Sequence, residues 1–255
     1  MPAAVATDKL AAMSIFLVGG GPDTTTSPAI FDEFVEEVLQ QGATKHRVPK
    51  IVVVLFDEGG SAAHFLSAYT APLESRMPCE IRPVLVCRGR QVDPAGFSDI
   101  DAILVAGGPT PAYLDGLQNS IDAIAGAIAQ GASYMGFSAG AMIAPRVALI
   151  GGYRMNGIEV CTEDWAEGLG EISLKAGLGL VPFTVDVHAA QAGTLGRAIC
   201  VVVNGLADQV VAIDENTAVV ATIHTPSSIR IVGSGNAWTF DSSDGQVSSS
   251  IRQAD

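Results

Sequence analysis

The residues with the clearest chemical potential lie in one Gly-x-Ser-x-Gly pentapeptide, Gly136 to Gly140. An apolar run, residues 132–135, precedes it, and helix-compatible residues follow it. This pattern is typical of a strand that enters a helix through a tight turn, which holds the serine in a strained conformation with its hydroxyl exposed. The pattern therefore predicts Ser138 as a nucleophile and the backbone N–H of Ala139 as a donor to an oxyanion.

A serine hydroxyl needs a base to remove its proton, and histidine is the candidate to look for. Of the four histidines, only His188 ends an apolar strand-like run on the carboxyl side of the serine. Parallel sheets carry their functional loops at the carboxyl ends of their strands. His188 is therefore predicted as the general base, and a buried structural histidine is the alternative.

A third group must orient the imidazole and stabilise its charged form. An acidic, glycine-rich segment, residues 151–175, lies between the serine and the histidine and is expected to form a surface excursion beside the site. We choose Asp164 from this segment, with Glu163 and Glu167 as close rivals. Asp186 is a further alternative, because it lies two residues before the histidine and points to the same side of the strand. Any one of these carboxylates could instead belong to a solvated face.

A second oxyanion donor is expected from Gly107 or Gly108, which follow the apolar run of residues 101–106. Glycine there would let a substrate approach the backbone closely. The alternative is a simple turn.

Short apolar runs and helical patterns alternate through the first half of the chain. The strand-like runs are residues 14–18, 51–56, 81–86, 101–106 and 133–135. Such alternation predicts a doubly wound α/β fold with a mostly parallel sheet. Pro83 favours an edge position for the third strand. Short β-like runs after residue 209 predict C-terminal β-hairpins that complete one edge of this sheet.

We expect one domain over residues 1–255, because no internal repeat or long linker interrupts the chain. Residues 1–12 and 242–255 are expected to fray. The first residues lack the basic start and long apolar centre of a signal peptide, so a cytoplasmic protein is predicted.

Composition limits the partners and cofactors. The net charge of −13 disfavours nucleic acid and anionic membranes as partners. None of the four cysteines forms a Cys-x-x-Cys pair, so we expect buried free thiols and no metal. Gly19-Gly20-Gly21 does not complete a dinucleotide fingerprint, because Thr24 stands where the third glycine would be. No cofactor is predicted.

Several stretches match, in order, those of one known family: Phe16–Gly21, Ile103–Gly108, Gly136–Ala141, Gly177–Leu180, Asp186–His188, Leu195–Arg197 and Ala212–Ala218. By these stretches the chain resembles the S51 family of serine peptidases, which includes cyanophycinases and the aspartyl dipeptidases called dipeptidase E. The resemblance implies a three-layer α/β/α sandwich like that of class I glutamine amidotransferases. It also implies a Ser/His/acid mechanism without metal, acting through an acyl-enzyme on small peptides or amides with aspartyl groups. Ser138, His188 and Asp164 would form the triad.

The resemblance also gives a set of substrate-binding positions: Pro109, Thr110, Asp186 and Arg197. In cyanophycinases, a glutamine and arginines after the histidine handle the β-Asp-Arg substrate. Here the corresponding positions hold Val187, Ala189, Ala192 and Thr194, and only Arg197 is kept. Missing guanidinium groups would remove bidentate recognition of carboxylates. The expectation is therefore a cyanophycinase-like serine exopeptidase with altered substrate specificity.

Two other functions stay open at this point. One is a small-ligand-binding homologue on the same fold that has lost catalysis. The other is an esterase of the α/β-hydrolase type, in which Gly-x-Ser-x-Gly also occurs. The expected partner is a small peptide or amide substrate, and the expected assembly is a homodimer.

Overall fold

A computed structural model describes residues 13–22, 25–222, 225–243 and 246–254. Within them the main sheet has seven strands. With strands numbered in chain order, its spatial order is β13 (Thr225–Gly233), β12 (Thr217–Thr222), β1 (Ser14–Val18), β5 (Ser133–Phe137), β4 (Ala102–Val105), β2 (Lys50–Phe56) and β3 (Glu80–Val86). The strands from β1 to β3 in this order are parallel, whereas β12 and β13 are antiparallel to their neighbours. The predicted mostly parallel sheet is confirmed, with β3 and its Pro83 at one edge.

Helices cover both faces of this sheet. They are α1 (Pro28–Lys45), α2 (Ala62–Glu74), α3 (Thr110–Leu117), α4 (Ile121–Ala129), α5 (Ala139–Ile143) and α6 (Leu195–Val203). Successive strand residues point to opposite faces. In β1, Phe16 and Val18 therefore join a buried cluster with residues of α1 and α2, whereas Ile15 and Leu17 join one with residues of α3, α4 and α5. The result is the three-layer α/β/α sandwich.

A second sheet carries part of the chain that was expected to extend the first one. Its strands are β10 (Thr184–Val187), β11 (Gln209–Ile213), β14 (Asn236–Ser243) and β15 (Gln246–Gln253). Strands β10 and β11 are parallel, and β14 and β15 follow as an antiparallel hairpin. Only β12 and β13 extend the edge of the main sheet as predicted.

The expectation of fraying ends has two outcomes. Residues 1–12 lie outside the described residues. The expectation for residues 242–255 is wrong over 246–253, because β15 pairs with β14 along its whole length.

The excursion between the serine and the histidine contains short antiparallel pairs. Strand β6 (Val147–Gly151) pairs with β9 (Ser173–Ala176), and β7 (Arg154–Met155) pairs with β8 (Ile158–Glu159). A single 3-10 turn, Glu163–Trp165, follows β8. The four cysteines are free thiols, as predicted, but all four are half-buried rather than buried. In the ranges that the structure describes, no helix has both the length and the apolar character needed to cross a bilayer.

Helix α5 packs very closely against the end of β4. A Cβ atom added to Gly140 would lie 2.4 Å from the carbonyl oxygen of Val105, so the helix and the strand would have to separate. Gly126 in α4 is the opposite case. Apart from the backbone of its own helix, no described atom lies within 4 Å of an added Cβ.

Two glycine substitutions should therefore change stability in opposite directions. Gly140→Ala should lower the free energy of unfolding by about 1–3 kcal/mol through overpacking. Gly126→Ala should raise it by about 0.5–1 kcal/mol, because alanine restricts the unfolded chain and favours the helix. Urea denaturation of both variants measures the two changes. An equal loss at both positions would contradict the close packing of α5 on β4.

Candidate active site

Ser138 occupies the tight turn between β5 and α5 that the pentapeptide predicts. Its backbone angles are φ 47° and ψ −105°, a region that residues other than glycine rarely adopt. Its N–H donates to the carbonyl oxygen of Val18 at 2.9 Å, which ties the turn to β1. An added Cβ on Gly136 would lie 2.4 Å from the carbonyl oxygen of Gly140. The small residues around the serine are therefore required by close packing.

His188 follows β10 directly and reaches the serine from the second sheet. Its φ is 54°, and its backbone N–H donates to the carbonyl oxygen of Gly19 at 3.0 Å. The imidazole Nε2 lies 2.9 Å from Ser138 Oγ. The structure thus brings the predicted nucleophile and the predicted base into hydrogen-bond contact.

The carboxylate on the other side of the imidazole belongs to Glu215. Its Oε1 lies 2.7 Å from His188 Nδ1. An ionised carboxylate only accepts hydrogen bonds, so this contact favours a proton on Nδ1 and leaves Nε2 to accept from the hydroxyl of Ser138. The three side chains form a continuous Ser–His–Glu arrangement.

Asp164 does not take the place that was predicted for it. It lies with Glu163 in the 3-10 turn, and both side chains are exposed. The residue of this turn that meets the imidazole is Trp165, whose ring centroid is 4.5 Å from that of His188. The short turn directs the indole towards the site and the carboxylates towards solvent, so Glu215 replaces Asp164 as the acid beside the histidine.

Asp186 and Arg197 form a buried ion pair. Arg197 Nη2 and Nε donate to the two carboxylate oxygens of Asp186 at 2.6 and 2.9 Å. The Asp186 side chain is 0% exposed and that of Arg197 is 2% exposed. Arg197 Nη1 also donates to the carbonyl oxygens of Gly152 and Trp165. The placement of this pair as substrate contacts, and of Asp186 as a rival acid, is therefore wrong. Its role is to fix the segment that carries Trp165.

Glu167 and Thr110 make a second anchor for the same segment. Thr110 is fully buried at the start of α3, and its Oγ1 donates to Glu167 Oε1 at 2.9 Å. Burial raises the pKa of the Glu167 carboxyl group. Neither residue has the predicted role, because Thr110 does not line the cleft beside the serine and Glu167 bonds to α3. Pro109 does line this cleft.

The predicted oxyanion donors differ in what their N–H groups contact. The N–H of Gly107 donates to Tyr69 Oη at 3.0 Å, so it is already occupied. The N–H groups of Gly108 and Ala139 have no hydrogen-bond acceptor among the described residues. Gly107 adjoins the serine, because an added Cβ would lie 3.5 Å from Ser138 Cβ. Gly108 and Ala139 are the donors that remain available.

The glycine loop after β1 leaves no space beside the imidazole. An added Cβ on Gly20 would lie 2.8 Å from His188 Cε1 and 2.9 Å from Glu215 Cγ. On Gly19 it would lie 2.2 Å from the carbonyl oxygen of Asp214. The loop is therefore a packing element of the site.

Sequence reasoning missed Glu215, although a signal for it exists. The residue follows the strand-like run of residues 209–213 and lies within the matched stretch Ala212–Ala218. A carboxylate just beyond a strand parallel to that of the histidine is well placed to reach the imidazole. The assumption that the acid precedes the histidine in the chain excluded it.

The described residues contain no group of three or more histidine, cysteine or acidic side chains arranged to hold a metal ion. A cleft of about 440 Å³ opens beside Ser138 and His188, between the loops that follow β1, β2 and β4 and the side of α2.

Comparisons with known proteins agree with this architecture. Residues 95–227 match the model of the family described as Peptidase family S51. The structure is similar to that of a peptidase from an acI-B1 Actinobacterium, with 18% identity, a TM-score of 0.67 and coverage of 95% of each chain. It is also similar to a candidate peptidase E protein from Listeria monocytogenes EGD-e, with 16% identity, a TM-score of 0.51 and coverage of 87% of this chain and 98% of that one. At these identities the structural likeness shows a shared fold alone. No curated protein matches the sequence.

The buried ion pair leads to a stability prediction with an internal control. Arg197→Ala should lower the free energy of unfolding by about 3–5 kcal/mol, because it leaves the Asp186 carboxylate buried and unpaired. Arg230→Ala breaks an ion pair with Glu33 in which the arginine is 54% exposed, so it should cost about 0–1 kcal/mol. Urea denaturation measures both changes. Similar small losses would contradict the anchoring role of Arg197.

Proposed function

The chain belongs to peptidase family S51 and is therefore a peptidase, and we propose that it is a serine exopeptidase acting on small peptides or amides through Ser138, His188 and Glu215. The observation that carries this proposal is the pair of contacts made by one imidazole. Nε2 lies 2.9 Å from the serine Oγ, and Nδ1 lies 2.7 Å from the glutamate Oε1. A base in contact with both a nucleophile and an orienting carboxylate is the arrangement that acyl transfer requires.

The reaction begins when His188 Nε2 takes the proton of Ser138 as Oγ attacks the carbonyl carbon of the scissile bond. The negative charge that develops on the carbonyl oxygen is met by the N–H groups of Gly108 and Ala139. Glu215 stabilises the imidazolium. The imidazolium then gives its proton to the leaving amine, and the C–N bond breaks to leave an acyl-enzyme. Water, deprotonated by the same imidazole, attacks the ester carbonyl; the bond between Oγ and the acyl carbon then breaks, the imidazolium returns its proton to Ser138 Oγ, and the acid leaves.

The resemblance in sequence implies aspartyl-containing substrates, and this stays a prediction. The residues that would recognise an aspartyl group in that family are largely replaced, and the one that is kept, Arg197, is enclosed in its ion pair with Asp186. The chemistry at Ser138 and the choice of substrate are therefore separate proposals with separate tests.

Removal of the nucleophile tests the chemistry. A fluorophosphonate probe should label the wild-type protein at Ser138 and should not label Ser138→Ala, and this variant should lose peptide hydrolysis. Peptide mapping by mass spectrometry identifies the labelled residue. Undiminished turnover in a folded Ser138→Ala variant would refute the assignment. Absence of labelling with retained binding of small ligands would instead support the ligand-binding alternative, and turnover of short acyl esters without peptides would support the esterase.

Comparison of two acids tests the third member of the triad. Glu215→Gln should lower kcat by roughly 10²–10⁴-fold, because the amide cannot stabilise the imidazolium as the carboxylate does. Asp164→Asn, on the exposed turn, should leave kcat unchanged. Initial rates on one peptide substrate, with folding checked by circular dichroism, measure both effects. The reverse ranking of the two variants would restore Asp164 as the acid.

A further inference from the structure

We propose that the cleft beside Ser138 selects substrates with an uncharged apolar side chain, aliphatic or aromatic, next to the scissile bond. The inference rests on the proposed function, because the cleft belongs to the same site. It names a substrate class that differs from the aspartyl groups expected from sequence.

The first observation is the size and lining of the cleft. Its volume of about 440 Å³ is within the range of pockets that hold small ligands. Both Ser138 and His188 lie on its wall. The remaining wall includes the apolar or aromatic side chains of Leu55, Phe56, Phe65, Ala68, Tyr69 and Tyr113. A side chain that enters here would exchange water for hydrocarbon and aromatic surface.

One face of α2 supplies much of this wall. Phe65 and Ala68 are three residues apart, and Ser61, just before the helix, precedes Phe65 by four, so all three lie on one side. Phe65 is 58% exposed, which is a large exposed fraction for an aromatic ring. Exposed apolar surface inside a concave site is what a ligand would cover.

Two buried tyrosines, Tyr69 and Tyr113, lie behind the cleft wall and are 6% and 0% exposed, respectively. The Tyr113 hydroxyl accepts from the Phe56 N–H at 2.8 Å and donates to the Gly107 carbonyl oxygen at 3.2 Å. The Tyr69 hydroxyl accepts from the Gly107 N–H. Burial raises the pKa of both phenols, so both stay neutral near pH 7. Their polar atoms hold the loop after β4, and their buried, uncharged rings support the cleft wall from behind.

Charge is the second observation. Apart from His188, no basic side chain is found among the described residues that line the cleft. Arg88 lies outside this lining, over the ring of Phe56, with its Cζ 5.4 Å from the ring centroid and its Nε 3.4 Å from Glu58 Oε1. A substrate carboxylate in the cleft would lose water without gaining a cation of the lining to pair with it. The cleft therefore favours apolar groups over acidic ones.

A matched substrate panel tests the inference on the unmodified chain. The panel consists of Xaa-Ala and Ala-Xaa dipeptides in which Xaa is Leu, Phe or Asp, so that both sides of the scissile bond are varied. On at least one side, kcat/KM should be higher for Leu and Phe than for Asp by roughly 10- to 100-fold, the factor expected from burying one such side chain.

Variants of exposed residues locate the preference in the cleft without disturbing the core. Phe65→Ala should reduce the ratio of Phe to Asp turnover, and Phe65→Arg should move it further towards Asp, because a cation then stands on the wall. Arg88→Ala is the control and should leave the ratio unchanged. A selective loss of Asp turnover in Arg88→Ala would show that this arginine recognises a substrate carboxylate, and would overturn the inference.

The remaining outcomes separate this inference from the proposed function. Labelling of Ser138 by the fluorophosphonate together with equal or faster turnover of the Asp peptides would overturn the apolar preference and leave the serine chemistry intact. If the wild-type protein is not labelled, the proposed function fails. The apolar preference of the cleft is then tested separately, by calorimetric binding of the same dipeptides to Ser138→Ala. Tighter binding of the Leu and Phe peptides supports it, and equal or tighter binding of the Asp peptides overturns it.

Discussion

The contact between the two sheets at Gly19 and Gly20 is the constraint on which the site depends. Ser138 is carried by the main sheet, whereas His188 and Glu215 are carried by the second sheet. The glycine loop lies between them, accepts the backbone N–H of His188, and leaves no room for a Cβ beside the imidazole. A side chain at Gly19 or Gly20 would therefore push against the second sheet and lengthen the hydrogen bond between the serine and the histidine. The site is thus a property of the junction rather than of either sheet.

Both ends of the serine–histidine contact are held in strained backbone conformations. Ser138 and His188 each have positive φ, which costs of order 1–3 kcal/mol per residue and persists only where the surroundings enforce it. The N–H of each residue donates to the loop or strand end at β1, and Trp165 lies against the imidazole. The buried guanidinium of Arg197 in turn holds the Trp165 carbonyl oxygen. The ion pair between Arg197 of α6 and Asp186 of β10 therefore helps to hold Trp165 against the imidazole of His188.

The parts of this architecture that could be predicted from sequence are those determined by local pattern. The serine turn follows from glycines at fixed offsets, and the parallel strands follow from apolar runs separated by helical patterns. Glu215 has a local signal, its position just beyond a strand-like run, but its contact with the imidazole depends on β10 and β11 pairing in a separate sheet, which no local pattern shows. The role of Arg197 was equally hidden. Sequence shows an arginine after the histidine, but only the packing of α6 shows that this arginine is buried against Asp186.

In the proposed function, the reacting groups and much of the cleft wall belong to different parts of the fold. Ser138 lies in the turn after β5 and His188 and Glu215 lie in loops of the second sheet, whereas α2, the end of β2 and the loops after β1 and β4 line the rest of the cleft. Phe65 makes none of the contacts that hold the imidazole, so its replacement can change what enters the cleft without altering the serine–histidine geometry. Because the two sets of residues are separate, the cleft wall can vary in sequence while the contacts of the imidazole stay the same. In our proposal, the side of α2 that faces Ser138 therefore determines the substrate preference.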